Sequence, residues 1–276
     1  MPPGRVATGA SAAELVGLVA ASVPEGARVL APEREFTSLL WPFLVRGCEL
    51  RTVPVGVLAG AIDDRTDVVA FSAVQSSDGE VADLEAIAAA ARAHGALTTV
   101  DATQAIGWLP LDAELFDAVV CAGYKWLLSP RGTAYVSVSE KLLERAPALH
   151  ANWWAGENPH DSYYGPPLRL AADARRLDSS PAWFSWIAAE RCLCVLADVA
   201  IDAIHAHDVA LANRFRSGLG LPPGDSAIVS AEVPGAAEKL ARAGIMAATR
   251  AGWLRASFHL YNSEADVDAA LDALAG

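Results

Sequence analysis

VCAGYKWLLSPRGTAY, residues 120 to 135, sets Lys125 directly behind an apolar, strand-like run. The chain has only two other lysines, Lys141 and Lys239, and arginine supplies nearly all the remaining positive charge. Solubility alone does not explain a primary amine at the end of a buried strand. Working outward, the apolar run begins as FDAVVCAGY at Phe116, and the pattern resumes as GTAYVSVS from Gly132. Upstream, DVVAFSAV (67–74) and ALTTVDAT (96–103) read as two more strands, since short continuous apolar runs suit strands covered on both faces. Between them, VADLEAIAAAARAHG (81–95) has acids in its first turn and Gly95 after its last, the punctuation of a helix. This alternation predicts an α/β fold built on a mostly parallel sheet with flanking helices.

The same rhythm runs upstream, with helices in ASAAELVGLVAASV and FTSLLWPFLVRG and strands in ARVLAPE and LRTVPV. After about residue 150 it changes. A loop rich in Trp, Tyr, Pro and Gly (ANWWAGENPHDSYYGPP) leads to a helical pattern from about Ala182 to Ala206, then to a tail ending in WLRASFHLYN and the helix EADVDAALDALA. The expected organisation is a large domain over residues 1–150, with the helix at about 182–206 packed on it, and a small C-terminal α+β domain over 207–276.

Composition narrows the function. The 276 residues are 53% hydrophobic, enough for a substantial core, and the net charge of −12 comes without any basic cluster, which argues against nucleic acid. Glu14 interrupts the first apolar segment, and no uncharged run approaches the roughly 20 residues of a membrane helix. A cytoplasmic location and no membrane partner are expected. Cys48, Cys121, Cys192 and Cys194 form no CxxC pair and read as core thiols, Cys192 and Cys194 pointing different ways on a helix. His205 and His207, two apart on the same helix, diverge and read as surface residues, so no metal site is expected.

In sheets of this kind ligands sit beyond the C-terminal ends of the strands. Two ionisable residues fall there, Asp101 closing ALTTVDAT and Lys125 closing FDAVVCAGYK. An amine and a carboxylate at one edge suit pyridoxal 5'-phosphate, which needs a lysine for its Schiff base and an acid to keep its pyridine nitrogen protonated. A structural ion pair is the plainer alternative.

VDATQAIG followed by AGYKWLLSPRGTAY resembles the lysine region of the class V aminotransferase family of fold-type I pyridoxal-phosphate enzymes, the group of isopenicillin N epimerase-like proteins, cysteine desulfurases and kynureninase. The resemblance runs from about residue 6 to the end and is densest over 70–135. It implies a fold-type I large domain and an enzyme acting on an amino acid through Lys125. Asp101 would pair with the pyridine nitrogen, Gln104 would donate to the phenolic oxygen, and Tyr124 would reach the phosphate, where many relatives have His. VATGASAAEL would supply the phosphate-cradling turn through Gly9, Ala10 and Ser11, although Ser11 also suits an ordinary N-cap. Phe36 would stack on the pyridine. In SSPAW, residues 179 to 183, Ser180 would reach the cofactor of a neighbouring subunit, implying a homodimer, or would cap a helix before Pro181. Arg255, in a strand whose alternation also sets Ser257, His259 and Tyr261 on its face, would grip the substrate carboxylate. Trp153, Trp154, Tyr163, Tyr164 and Trp183 suggest aromatic walls for the pocket, or a core or interface. Arg250 and His259 receive no role.

Two departures stand out. GIMAATRAGWLRAS contains no cysteine where desulfurases carry a mobile one before the arginine, which disfavours that chemistry. The phosphate turn lies within the first dozen residues, where relatives have several dozen ahead of it, so either the start lies upstream or the form is shortened. Transamination, epimerisation and elimination stay open, as does a shortened relative that binds the cofactor without catalysis. A dinucleotide enzyme ranks below these, because no GxGxxG follows the first strand.

Overall fold

A computed structural model describes residues 1–276. The apolar runs become a seven-stranded sheet of β1 (Val6–Gly9), β2 (Arg28–Pro32), β3 (Glu49–Val53), β4 (Val68–Ser72), β5 (Leu97–Asp101), β6 (Ala118–Ala122) and β7 (Ala134–Val138), in the order β1-β7-β6-β5-β4-β2-β3. Strands β3, β2, β4, β5 and β6 pair in parallel, while β7 runs antiparallel between β6 and β1. The expected mostly parallel α/β sheet is therefore present. Helices α1 (Ala12–Ala21) and α2 (Thr37–Val45) follow β1 and β2, the short α3 (Leu58–Ala61) follows β3, α4 (Leu84–His94) follows β4, and α5 (Glu140–Arg145) follows β7.

The strands read as unbroken apolar runs because both faces are covered. Val68 and Ala70 of β4 pack into one core with Leu15, Leu39 and Phe43, while Val69 and Phe71 pack into another with Ile87, Trp108 and Phe116. Local chemistry sets the helix ends. Ser11 accepts from the Glu14 amide at the start of α1, Asp83 accepts from Ala86 N at 3.1 Å at the start of α4, and Gly95, at φ 68°, ends α4 in the left-handed region.

The helical pattern at 182–206 proves to be two helices, α6 (Trp183–Val199) and α7 (Ile201–Gly218), broken where Ala200 takes φ 72°. Neither glycine nor proline marks this break, so the sequence pattern ran across it. Beyond α7, a three-stranded antiparallel sheet orders β8 (Ile228–Ala231), β10 (Trp253–Ser257) and β9 (Ala248–Arg250). With α8 (Ala236–Arg242) and α9 (Glu264–Ala275) it encloses a third core around Phe215, Val229, Leu254 and Phe258.

Several side-chain expectations need correction. Cys48 and Cys121 are buried, but Cys194 is exposed on α6, turned away from Cys192, whose thiol donates to Leu128 O. His205 is half-buried and stacked on Trp108, with ring centroids 5.8 Å apart, so only His207 is a surface residue. The β10 alternation stops at Ser257, which leaves His259 buried rather than on the face of Arg255. Helix α6 starts at Trp183 without a side-chain cap, so Ser180 does not cap it.

Candidate active site

The parallel register aligns the strand ends that matter. Ser72 pairs with Asp101 and Asp101 with Val120, while Ala122 and Gly9 flank Ala134 from either side. The loops leaving β1, β2, β4, β5 and β6 thus open at one edge, around a cavity of about 150 Å³. Ala10, Ser11, Phe36, Asp101, Gln104, Tyr124 and Lys125 all line it. Gly9 closes β1 just beneath, where an added Cβ would press on Leu15. Ser180 is exposed and Arg255 lies behind the Ser76 loop, so neither lines the cavity. The five aromatic residues expected as walls cluster with one another elsewhere, Trp154 against Trp153 and Trp183, Tyr163 against Trp153 and Tyr164.

Lys125 projects from a tightly self-bonded turn. Leu128 N donates to Lys125 O at 3.1 Å, Ser129 N to Gly123 O at 3.0 Å, and Gly123 N to Thr133 O at 2.9 Å. Leu128 takes φ 54°, a conformation costly for a bulky residue and held by the surrounding bonds. The Lys125 ammonium lies 5.7 Å from the centroid of the Phe36 ring. Burial lowers its pKa and Asp101 opposes this, while the charges of Arg255 and Arg250 lower it further.

Asp101 is buried and accepts from Thr103 N at 2.8 Å. Burial raises its pKa, and the Thr103 hydrogen bonds and Lys125 pull it back down. Two residues on, the Thr103 hydroxyl accepts from Ala122 N at 3.0 Å, coupling the β5 loop to the strand that carries Lys125. Gly107, at φ 111°, lets the loops meet, since a Cβ there would stand 2.6 Å from Trp126 O.

Gln104 is fixed from three sides. Its Nε2 donates to Ser76 Oγ at 3.1 Å, its Oε1 accepts from Trp126 Nε1 at 3.0 Å, and its carbonyl accepts from Trp108 Nε1 at 2.7 Å. Trp126 is itself stacked on His259, with ring centroids 5.2 Å apart. His259 Nδ1 accepts from Leu260 N, so Nε2 carries the proton donated to Trp126 O at 3.0 Å. Burial lowers the pKa of that imidazole, consistent with a neutral ring. Sequence reasoning gave His259 no role; it supports the wall of the site at one remove.

Three further residues escaped the sequence. Arg131 lines the cavity with its guanidinium 4.2 Å from the Tyr124 ring centroid, a cation–π contact. Ser72 lines it too and is held by Glu35, a buried carboxylate just before α2. Glu35 accepts from Ser72 N at 2.7 Å, from the Ser72 hydroxyl, from Gln75 Nε2 at 3.0 Å and from Phe36 N at 2.9 Å, and so fixes both Phe36 and the end of β4. No signal in PEREF separates this carboxylate from a surface one. Arg131 was legible only as part of a Pro–Arg–Gly turn.

The cavity lining offers one buried acid, one amine of lowered pKa, an aromatic face, an amide donor and the start of α1 with Tyr124 and Arg131. One local feature bears on the α1 end: the Ala10 amide is already held by the Glu14 carboxylate at 2.7 Å. The Glu14 amide is taken by Ser11 Oγ, which leaves the Ala12 and Ala13 amides at the helix start without an intrahelical acceptor.

The sequence profile described as "Aminotransferase class-V" matches residues 8–237. The chain belongs to the class V aminotransferase family. Relatives include the uncharacterized aminotransferase YcbU of Bacillus subtilis, 28% identical over 78% of this chain and 60% of that protein. The isopenicillin N epimerase of Streptomyces clavuligerus is 29% identical over 99% of this chain and 81% of its own length. A kynureninase of Deinococcus radiodurans is 29% identical over 62% of this chain and 42% of its own. Among solved structures, a variant of the cystine C–S lyase C-DES with glycine covalently linked to its PLP cofactor superposes with a TM-score of 0.89 at 19% identity, covering all of this chain and 81% of the other. The apo cysteine desulfurase of Thermococcus onnurineus NA1 superposes at 0.84 with 21% identity, over 98% and 78%. At such identities the likeness establishes the fold, that of fold-type I enzymes. The class V chain spans 60% of the YcbU length and larger shares of the epimerase and of these structures.

Proposed function

We propose that the chain is a pyridoxal-phosphate-dependent enzyme acting on an amino acid, with Lys125 as the residue that holds the cofactor and moves the proton at the substrate's α-carbon. The observation that carries this reading is the meeting of Lys125, Asp101, Gln104 and Phe36 in one cavity at the sheet edge. The residues fit the group. The Asp101 carboxylate suits the pyridine nitrogen, the Phe36 ring a flat face, and Gln104 Nε2 the phenolic oxygen. Ser11, Tyr124, Arg131 and the α1 terminus suit the phosphate, for which the Glu14 carboxylate is an opposing charge. When bound, pyridoxal phosphate supplies an electron sink for charge developing at the α-carbon.

The chain's own residues do the rest. Lys125, with its pKa held down by burial, offers an unprotonated amine at lower pH than a surface lysine does, which suits it to attack a carbonyl and afterwards to accept a proton. Burial raises the Asp101 pKa, and the Thr103 hydrogen bonds and Lys125 work against that rise in favour of its charged form. Arg255, held behind the cavity by its bond to Ser76 O, is the guanidinium this reading assigns to a substrate carboxylate. Among transamination, epimerisation and elimination, no side chain in the cavity favours one, and the segment before Arg255 holds no cysteine nucleophile.

The active assembly on this reading is a homodimer. Helix α6 exposes Trp183, Phe184, Ile187, Val195 and Val199, an apolar face beside the exposed Ser180 that a second copy would cover. The four free thiols, one of them exposed, agree with a reducing cytoplasmic setting.

The test is an absorption spectrum after addition of pyridoxal phosphate, then borohydride reduction and peptide mapping, with light scattering on the same sample. A visible band trapped on Lys125 and lost in Lys125→Ala supports the reading. A band that persists unchanged in that variant would sink it.

A further inference from the structure

Arg250 and Arg255 stand on the same hairpin and on the same face of it. Strand β9 turns into β10 through Ala251 and Gly252, at φ 49° and 85°, the two-residue turn with both central residues left-handed. Arg250 pairs directly with Trp253, and Arg255 is two residues beyond Trp253, so the two arginines are diagonal neighbours, with a spacing of about 7 to 8 Å between backbones expected for such pairs. On the other side of β10, Ser230 pairs with Arg255 and shares its face.

This face closes a second cavity of about 110 Å³, lined by Arg34, Ser77, Asp78, Ser230, Arg250 and Trp253. Ser76 lines the cofactor cavity and Ser77 lines this one, so the two are separated by the thickness of one loop. Arg255 lines neither cavity but reaches the loop between them, its Nη1 donating to Ser76 O at 2.6 Å.

The charges in the second cavity do not balance. Arg34 is 3.7 Å from Asp78, which answers it. Arg250 pairs with no carboxylate and bonds only its neighbour's carbonyl, Thr249 O, at 2.9 Å. Arg255 likewise has no carboxylate partner, and its Nε is buried without an acceptor; the Ser77 hydroxyl is also buried and unpartnered. Two guanidinium groups and one hydroxyl therefore stand ready for acceptors that the chain does not supply, and a substrate bearing one carboxylate would answer only one of the guanidiniums.

We propose that Arg250 binds a second acidic group, so that the amino acid handled at this site carries a side-chain carboxylate, its α-carboxylate going to Arg255 and its distal one into the Ser77–Ser230 cavity. This rests on the reading of the first cavity as a cofactor and amino-acid site. The charge of Arg250 reaches both Lys125 and Arg255, which agrees with its placement beside them. A distal carboxylate would also screen that charge from the lysine.

The experiment titrates the cofactor-loaded chain with L-glutamate and L-glutamine, following the visible band. The wild-type chain should bind glutamate roughly tenfold or more tighter, the worth of one charge-assisted pair. In Arg250→Met the ratio should fall to near unity, and Arg250→Lys should restore part of it. Arg255→Met should weaken both ligands and keep the ratio, separating the two arginines. Equal binding by the wild-type chain, or a ratio that survives Arg250→Met, would overturn the assignment. Failure to take up cofactor would instead overturn the parent reading. In that case the melting temperature of the unloaded chain with glutarate against butyrate still decides on Arg250: a larger rise with glutarate that vanishes in Arg250→Met supports it, and equal rises refute it.

Discussion

Asp208 is the most exposed weakness in the stability of this chain, although it is not exposed to solvent at all. It sits on α7 at 0% accessibility, and neither carboxylate oxygen has a hydrogen-bond partner. Burial alone pushes its pKa up, to about 7 from 3.8, with no charged group near enough to contribute. Between those values the folded chain keeps a proton that the unfolded chain has lost, so stability falls as pH rises through the window and levels off above it. A rise of that size corresponds to about 4 kcal/mol at full ionisation. Asp208→Asn keeps the shape and cannot ionise. Its stability relative to wild type should therefore climb from near zero at pH 4 to about 4 kcal/mol at pH 8, or roughly 8 °C in melting temperature for a chain of this size. Urea titrations at a series of pH values, at fixed protein concentration, measure the difference directly. A difference that does not change with pH would refute the reasoning, and would mean that the carboxylate is already paired or hydrated.

Two further predictions address the site. Asp101→Asn removes the carboxylate that opposes the burial of Lys125, so the pH midpoint for reaction of Lys125 with an amine reagent in the cofactor-free chain should move down; an unmoved or raised midpoint would contradict the arrangement. With cofactor, that variant should still be trapped by borohydride while turnover drops by orders of magnitude. Glu35→Gln leaves an amide facing the Ser72 and Gln75 donors and should cost about 2 to 4 kcal/mol, since losing a buried charged acceptor strands its partners. Because Ser72 and Phe36 line the cavity, cofactor retention should weaken with it, as equilibrium dialysis would show.

What could be read in the sequence was what local pattern and covalent order fix. The unbroken apolar runs of β4, β5 and β6 announced strands buried on both faces, and parallel pairing then placed Asp101, which ends β5, and Lys125, in the turn after β6, at one edge. Gln104 follows from Asp101 by three residues on the same loop and came with it. The rest depended on long-range placement. Glu35 looks like any acid in PEREF until the fold brings Ser72 and Gln75 to it from 37 and 40 residues away. Arg250 is separated from Arg255 by a two-residue turn whose first residue is alanine, a poor predictor of left-handed geometry. Ala200 breaks a helix with no sequence signal, and the aromatic residues of the 153–164 loop found one another instead of the pocket.

The positive charges that act on Lys125 are arginines, Arg255 and Arg250. A guanidinium stays protonated at any physiological pH, so arginine can supply positive charge beside a reactive amine without competing with it for the chemistry. Lysine is the residue whose charge an environment can remove. Lys239 is spent on a local task, its ammonium donating to Leu274 O near the end of α9 at 2.8 Å. Lys125 alone stands where burial, Arg255 and Arg250 all act to strip its proton while Asp101 keeps it within reach of one. In a chain of net charge −12, Arg250 and Arg255 add a positive field at Lys125 that lowers its pKa, and Arg131 lines the same cavity, where it favours an anionic ligand. Replacing Lys125 by arginine would preserve that field and abolish the amine, whereas replacing a neighbouring arginine would preserve the amine and raise its pKa. The two kinds of variant therefore separate charge from nucleophilicity at one site, a separation that a lysine-rich edge would not permit.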